Sequence, residues 1–583
     1  MLKFLRYLKK QWWLVGLIFV FTCVQVILDF LLPTLMGWII RVINNGATTP
    51  VDMNEIISTA IGMIFIAFCS GLVGSFICIL ASQVTAKMMA RVRYQLYDKI
   101  STFSANEMNH YSVSSLITRT TNDITNVSNT YVLIFRFLIY GPLLAVGAFV
   151  FLLTSGCRWQ LLCTIIGAIL LLALVIFIAI RVALPHFEII QQRIDKINLV
   201  TKENLEGLRV VRAYNAEEFQ REKFSNYNEQ LTKDDKTANR ALGFLTPGIQ
   251  LVIGIMMVAV SLVSANLIKE KSGFDYSSMA TVLQFAGLLL TGFILMVLIF
   301  IMIPRSTICA KRINEVLESD VLIKYVDKTE QYSEVGTVEF KNVTFTYPGG
   351  DAPSLKNITF RVNKGETLAF IGATGSGKTT LLNLIQRFYD VSEGQVLVDG
   401  LDVKKYRGED LFIKFGYVPQ KPYLFRDTLR NNVCLGAPNA SDEELKRALD
   451  ISQSSEFVEK LHGKTEYEIS QGGKNVSGGQ RQRLSIARAI IKRPEIFLFD
   501  DSFSALDYKT DRVVRGEIKS KCHGSTNIIV AQRVGTIMDA DQIVVLDNGN
   551  MVGIGTHKEL LKTCSVYREI ALSQLSKEEL ENA

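Results

Sequence analysis

Long apolar runs constrain this chain more than any other feature of its sequence. A helix needs roughly 20 mostly apolar residues to cross the bilayer core. Six segments qualify: about 12–43, 56–86, 131–154, 159–185, 241–268 and 278–304. Runs of this length exceed what a core helix of a soluble protein requires, so membrane helices are expected in preference to six buried soluble ones. The runs stop near residue 305, and the rest of the 583-residue chain has ordinary soluble composition, so at least two folding units are predicted. The boundaries read as a transmembrane domain over 1–320, a linker over 321–336, a soluble domain over 337–575 and a polar, unstructured tail over 576–583.

The links between the runs alternate in length and charge. Short links run from Asn44 to Glu55, Ser155 to Arg158 and Lys269 to Ser277, whereas residues 87–130 and 186–240 form two long ones. The first short link has no Lys or Arg, while the long links carry Lys87, Arg91, Arg93, Lys99 and Arg119, then Arg193, Lys196, Lys202, Arg209, Arg212, Arg221, Lys233 and Arg240. By the positive-inside rule, both termini, both long links and the soluble domain are cytoplasmic, which predicts a multi-pass membrane protein. The basic N-terminus, Met1 to Lys10, resembles the start of a signal peptide. The apolar stretch after it is far longer than a signal core of about 7–15 residues and has no small-residue cleavage site, so a retained membrane helix is expected. The long links keep helical spacing with few breakers, predicting rods that leave the membrane by roughly 25 Å or more at 1.5 Å per residue. Their turning tips are placed near Ser104–Ser114 and Arg212–Arg221.

Other classes fall away. The net charge of +7 lies largely in segments read as cytoplasmic, and no basic face with interleaved aromatics appears, so no nucleic-acid partner is expected. The nine cysteines form no Cys-x-x-Cys pair, which implies neither a disulfide framework nor a zinc site.

The soluble half carries its chemistry in short motifs. Val338, Phe340, Val343, Phe345 and Tyr347 mark short strands ended by Pro348-Gly349-Gly350, and a strand from Glu366 to Ile371 runs into a glycine-rich loop and then a helix. That loop, Gly372-Ala373-Thr374-Gly375-Ser376-Gly377-Lys378-Thr379, matches G-x-x-x-x-G-K-[ST]. Its glycines let backbone N–H groups close around phosphate oxygens at a helix N-terminus, and Thr380 follows within the same first turn. Lys378 is expected to reach the β- and γ-phosphates, with the Thr379 hydroxyl on Mg²⁺. The apolar run Ile496-Phe497-Leu498-Phe499 ends in Asp500, which can hold Mg²⁺ through water. ATP and Mg²⁺ are therefore the expected ligands.

Val476-Ser477-Gly478-Gly479-Gln480, set just before a helix, resembles the LSGGQ signature of the ATP-binding cassette (ABC) family, and the resemblance extends over essentially the whole chain. It implies that Tyr347 stacks on adenine, that Gln420 in Tyr417-Val418-Pro419-Gln420 is the Mg²⁺-sensing Q-loop residue, and that Asp507 in Ser504-Ala505-Leu506-Asp507 belongs to the D-loop. The run Asn204 to Val211 is similar to the family's second cytoplasmic loop. The fold implied is that of a type IV exporter half: an α-helical membrane domain of six transmembrane helices with long cytoplasmic extensions, followed by an α/β P-loop nucleotide-binding domain. In such proteins ATP lies between one cassette's P-loop and another's signature (here Ser477, Gly478, Gly479 and Gln480), so the half-transporter must dimerise.

Two residues depart from the family's pattern. Asp501 stands where the glutamate that aligns the attacking water is expected, and Gln532 stands at the switch histidine. A shortened carboxylate and an amide that cannot carry a proton predict weak catalysis, since a base must come within about 3 Å of its proton or act through one water. Two losses beside an intact signature imply a different ABC half-transporter as partner, in a heterodimer whose other P-loop does most of the hydrolysis. A slow homodimer is the plainer alternative.

Asp29 lies mid-span, with Gln25 one turn earlier on the same face, and Gln284 lies in the sixth span. A carboxylate at this depth faces a cavity or a partner. Asp29 is thus either a contact for cationic cargo or a tie between helices, and Gln284 reads more simply as helix–helix glue. The function expected is ATP-driven export of hydrophobic or amphipathic small molecules of multidrug type. The alternatives are a lipid flippase or a peptide exporter (a processing peptide exporter being disfavoured, since no N-terminal peptidase domain is seen) and a nucleotide-gated channel or regulatory subunit.

Overall fold

The computed structural model describes residues 1–9, 11–45, 53–154, 158–270 and 274–575, so the tail expected over 576–583 lies outside the described residues. The chain divides into two compact units. One comprises Met1–Ser101 with Ser114–Ser319, the other Thr102–Val113 with Asp320–Ala583.

Among the described residues, the first unit holds six helices long and apolar enough to cross a membrane. Trp12–Asn45 and Met53–Ser101 are followed by Ile124–Thr154, Trp159–Glu206, the pair Glu217–Gly243 and Leu245–Lys269, and Tyr276–Glu318. Met53–Ser101 has 49 residues. At 1.5 Å per residue it spans about 74 Å, more than twice the roughly 30 Å hydrocarbon core. Such helices run on as polar rods where their apolar stretch ends. The second long link turns through Leu208–Ala213, a short helix between Glu206 and Glu217. Pro33, Pro142, Pro185 and Pro304 sit inside helices, a placement tolerated in membrane helices because neighbours satisfy the freed backbone groups.

Close backbone approach holds the third and sixth membrane helices together. A Cβ added at Gly292 would meet Gly141 O at 2.7 Å and Ala145 N at 2.8 Å, so only glycine fits there. Toward the polar end of the same pair, Thr130 and Ser306 share a hydrogen bond. Arg312 Nε lies 3.4 Å from the buried Asp123, and Arg119 Nη1 lies 3.2 Å from Glu315. Both ion pairs use the ends of a π-helical turn, Arg119–Asp123, just before the third membrane helix begins.

The second unit is an α/β cassette. Among the described residues its main sheet has a parallel core, ordered Phe415–Val418, Ile496–Asp500, Thr526–Val530, Thr367–Gly372 and Gln542–Asp547. An antiparallel arm continues through Asn550–Gly555, Leu355–Val362, Val338–Phe345 and Glu393–Val398, with only the 550–555 to 355–362 contact parallel. The core strands are apolar on both faces, as parallel strands covered on both sides must be. Ile496–Asp500 is buried throughout. Helix Lys378–Ile385 contributes Leu381, Leu382, Leu384 and Ile385 to the core between sheet and arm.

Segment 102–113 packs within this unit although it lies in sequence inside the membrane half. Its helix Ala105–His110 is capped by Ser104 and Glu107 in a reciprocal capping box, and Glu107 Oε1 also accepts Leu322 N–H at 3.2 Å. Asn109 Nδ2 donates to the Tyr389 hydroxyl at 3.1 Å.

Candidate ATP site

A cleft of about 340 Å³ gathers Tyr347, Thr374, Gly375, Gly377, Lys378, Thr379, Thr380, Gln420, Asp500, Asp501 and Gln532. Most residues singled out from the sequence for nucleotide and metal thus share one place. Topology is the cause. The P-loop follows the strand Thr367–Gly372, while Asp500 and Asp501 end Ile496–Asp500, and Gln532 follows Thr526–Val530. These three strands are neighbours in parallel register, so their carboxyl ends open on the same crevice.

The loop's glycines answer specific needs. Gly377 has φ +101°, and a Cβ there would sit 2.6 Å from Leu355 Cδ2. Gly372 packs so closely on the next strand that a Cβ would meet Leu546 O at 2.1 Å. Lys378 Nζ folds back over the loop, donating to Gly372 O at 2.8 Å and Ala373 O at 2.7 Å, with Ser376 Oγ at 3.4 Å. Burial holds its ammonium below the usual lysine range, against the attraction of Asp501 and Asp500. Tyr347 is braced by Thr380 Oγ1 at 2.9 Å and by the edge of the Tyr389 ring, 5.2 Å between centroids.

The donors expected to hold Mg²⁺ suit it. Thr379 Oγ1 donates to Asp500 Oδ1 at 2.9 Å, so a hydroxyl and a carboxylate face one position, and the Gln420 amide lies on the same cleft. All offer hard oxygen, the set this ion prefers. Burial pushes the Asp500 carboxyl up, the Thr379 hydrogen bond opposes this, and the neighbouring Asp501 charge adds to it.

The two departures from the family pattern touch each other. Gln532 Nε2 donates to Asp501 Oδ2 at 2.8 Å, and Gln420 Nε2 approaches the same oxygen at 3.4 Å. Burial pushes the Asp501 carboxyl up, opposed first by the Gln420 donor.

The signature does not line this cleft. Ser477 caps helix Gly478–Ile491, accepting from Gln480 N–H at 3.2 Å, while Gln480 Oε1 accepts Ser477 N–H at 2.8 Å. Ser477 and Gly478 are exposed, leaving a helix N-terminus with Gly479 beside it open to an anion from outside the cleft. Asp507 caps the next helix, Tyr508–Lys521, through Thr510 N–H at 3.0 Å. Sequence reasoning missed Ser354 and Val530 in the lining and Tyr389 behind Tyr347. Only Tyr389 carried a signal, as an aromatic within Arg387-Phe388-Tyr389-Asp390.

In the membrane unit, the Asp29 carboxylate accepts from Ser70 Oγ at 2.6 Å and from the Tyr140 hydroxyl at 2.8 Å, one donor on each oxygen. Gln25 lies against Gly74, where an added Cβ would be 3.1 Å from its Nε2. Gln284 is exposed and joins neither.

Such a P-loop cleft, with a signature helix facing away from it and six membrane helices ahead of it in the chain, points to an ATP-driven membrane transporter. Residues 15–294 match the ABC transporter transmembrane region and residues 355–504 match the ABC transporter family, to which the chain belongs. It is 32% identical to the uncharacterised ABC transporter ATP-binding protein YfiB of Bacillus subtilis, over 99% of each chain. It is 29% identical to the ATP-dependent lipid A-core flippase of Pseudomonas aeruginosa, over 89% of this chain and 85% of the flippase. In fold it resembles a bacterial Atm1-family ABC exporter with ATP bound, at a TM-score of 0.80 and 21% identity, covering 96% of this chain and 98% of that one. The chain is thus an ABC transporter of the plasma membrane, with its transmembrane region fused to its ATP-binding cassette.

These relatives correct one expectation. The Atm1-family exporter and the lipid A-core flippases do not support a different ABC half-transporter as the partner, and that expectation is withdrawn. The physical reason lies in the signature. A chain with a complete P-loop and an exposed, well-capped signature carries both halves of the interfacial site, so a second copy suffices by two-fold symmetry.

Proposed function

We propose that this chain acts as a homodimeric exporter that moves amphipathic, lipid-like compounds, powered by two identical and slow ATP sites. Each site would pair one copy's P-loop with the other copy's Ser477, Gly478 and Gly479. The observation that carries this reading is the coexistence, in one chain, of an intact P-loop cleft and an outward-facing signature helix N-terminus. The similarity to lipid A-core flippases along most of the chain favours lipid-like over drug-like cargo.

Within each site the residues divide the work. Tyr347 offers a face to adenine, and the P-loop N–H groups and Lys378 bind phosphate oxygens. Thr379, Asp500 and Gln420 would hold Mg²⁺, which supplies charge neutralisation on the phosphates when bound. Asp501 serves as the base toward water. Its shorter side chain makes the reaction slow, because a displacement of about 1 Å costs roughly 100-fold.

The test is reconstitution of the purified chain, alone, in liposomes carrying a fluorescent lipid. ATP-dependent movement of the lipid between leaflets, abolished by Lys378→Ala, is the expected result. Absence of movement with the chain alone overturns the homodimer, and a passive ion current in its place would mark a channel.

A further inference from the structure

Asp501 is held at two levels. Its backbone is left-handed, with φ +47°, a region that non-glycine residues rarely enter and that aspartate tolerates better than most. Its N–H donates to Val530 O at 3.0 Å, which fixes it to the adjoining strand. The side chain is then oriented by amides. A carboxylate turns easily about its last bond, but Gln532 Nε2 at 2.8 Å and Gln420 Nε2 at 3.4 Å both point at Oδ2. This selects one orientation and leaves Oδ1 free of both amides, while the Ser504 hydroxyl, 2.8 Å from Asp501 O, also lies beside the carboxylate. Asp501 is buried, so little water competes for these bonds.

We propose that Gln532 is a positioning residue for ATP hydrolysis, acting through Asp501 and not by contact with the γ-phosphate. By holding Oδ2 it aims Oδ1 at the attacking water. Oδ1 takes a proton from that water as the water oxygen bonds to the γ-phosphorus. The bond from that phosphorus to the β,γ-bridging oxygen breaks, ADP leaves with the bond's electron pair, and the proton passes on to phosphate or solvent. Gln532 itself transfers no proton. Aspartate and glutamine thus form a matched pair: the amide reaches a carboxylate one methylene shorter and holds it in place. The proposal rests on the reading of Asp501 as the base of a slow, working site.

The experiment uses the full chain in lipid nanodiscs. The variants Gln532→Leu, Gln532→Asn, Gln532→His, Asp501→Asn and the double variant Asp501→Asn/Gln532→Leu are compared for kcat and KM. Binding of a fluorescent ATP analogue in EDTA is measured alongside, which reports folding and nucleotide affinity without turnover. Gln532→Leu is expected to lower kcat about 100-fold while KM and analogue affinity stay within about twofold. Gln532→Asn, which keeps the amide but shortens it, should lose less. The double variant should be no slower than Asp501→Asn, because residues acting as a unit are not additive. Gln532→His should not raise kcat unless Asp501→Glu accompanies it. Independent, multiplying losses overturn the proposal alone, as does a tenfold rise in KM for Gln532→Leu, which would mark direct contact with ATP. A wild-type chain no faster than Lys378→Ala removes the slow-site reading and the proposal with it.

Discussion

Asp29 offers the sharpest separation between a cargo contact and a structural tie. Its two carboxylate oxygens accept one hydroxyl each, from Ser70 on the second membrane helix and Tyr140 on the third. In Asp29→Asn the remaining oxygen still accepts one hydroxyl, and the new NH₂ donates to the other, since hydroxyls both give and accept. Both hydroxyls keep a partner, so the net change in stability should stay within about 1 kcal/mol. Asp29→Leu removes both acceptors. Hydrogen bonds between membrane helices average about 0.6 kcal/mol each, so two are worth about 1.2 kcal/mol. The Ser70 hydroxyl, buried and left without its acceptor, adds about 1 kcal/mol more. Thermal inactivation in nanodiscs should show Asp29→Asn near wild type and Asp29→Leu several degrees lower. Transport of neutral, anionic and cationic lipid probes should fall together with the Leu variant. The structural reading is refuted if Asp29→Asn abolishes transport of the cationic probe alone while the thermal midpoint is unchanged.

Ser477→Ala removes a helix cap worth about 1 kcal/mol, yet in a homodimer it strips the signature hydroxyl from both sites, so ATPase activity should drop roughly 100- to 1,000-fold with little change in melting. Equal melting and equal turnover would place the signature outside the reaction. Arg387 is buried beside helix Lys378–Ile385, bonded to Asp390 at 2.9 Å and Lys324 O at 3.1 Å, with its guanidinium 4.9 Å from the Tyr325 ring centre. Arg387→Ala removes the buried guanidinium with its bond to Lys324 O and its packing on Tyr325 and should cost about 2 kcal/mol, read as a lower thermal midpoint, whereas Arg361→Ala at an exposed pair should cost under about 1 kcal/mol. Gly292→Leu forces a side chain into the backbone of the third membrane helix and should sharply lower the yield of folded protein; normal yield and melting would contradict the close approach seen there.

Contiguous chemistry was legible in the sequence. A bilayer demands about 20 apolar residues in a row, and a phosphate demands glycines, lysine and a hydroxyl at fixed spacing ahead of a helix, so the six spans and the P-loop stand out in one dimension. Helices that outlast their apolar stretch were likewise readable from spacing. Other features only the tertiary structure decided. Segment 102–113 packs with the cassette because Glu107 bonds to Leu322 and Asn109 to Tyr389, contacts across more than 200 residues of chain that no local pattern encodes. Asp29 finds its donors on two other helices, so its partners depended on helix rotation, which apolar runs leave open. Asp501 and Gln532 read in the sequence as two separate losses. They touch because Asp500 and Val530 are direct partners in a parallel ladder, which brings the residues just beyond the two strand ends within hydrogen-bond reach. Strand pairing converts a separation of 31 residues into a contact of 2.8 Å, and with it two apparent defects into one interacting pair.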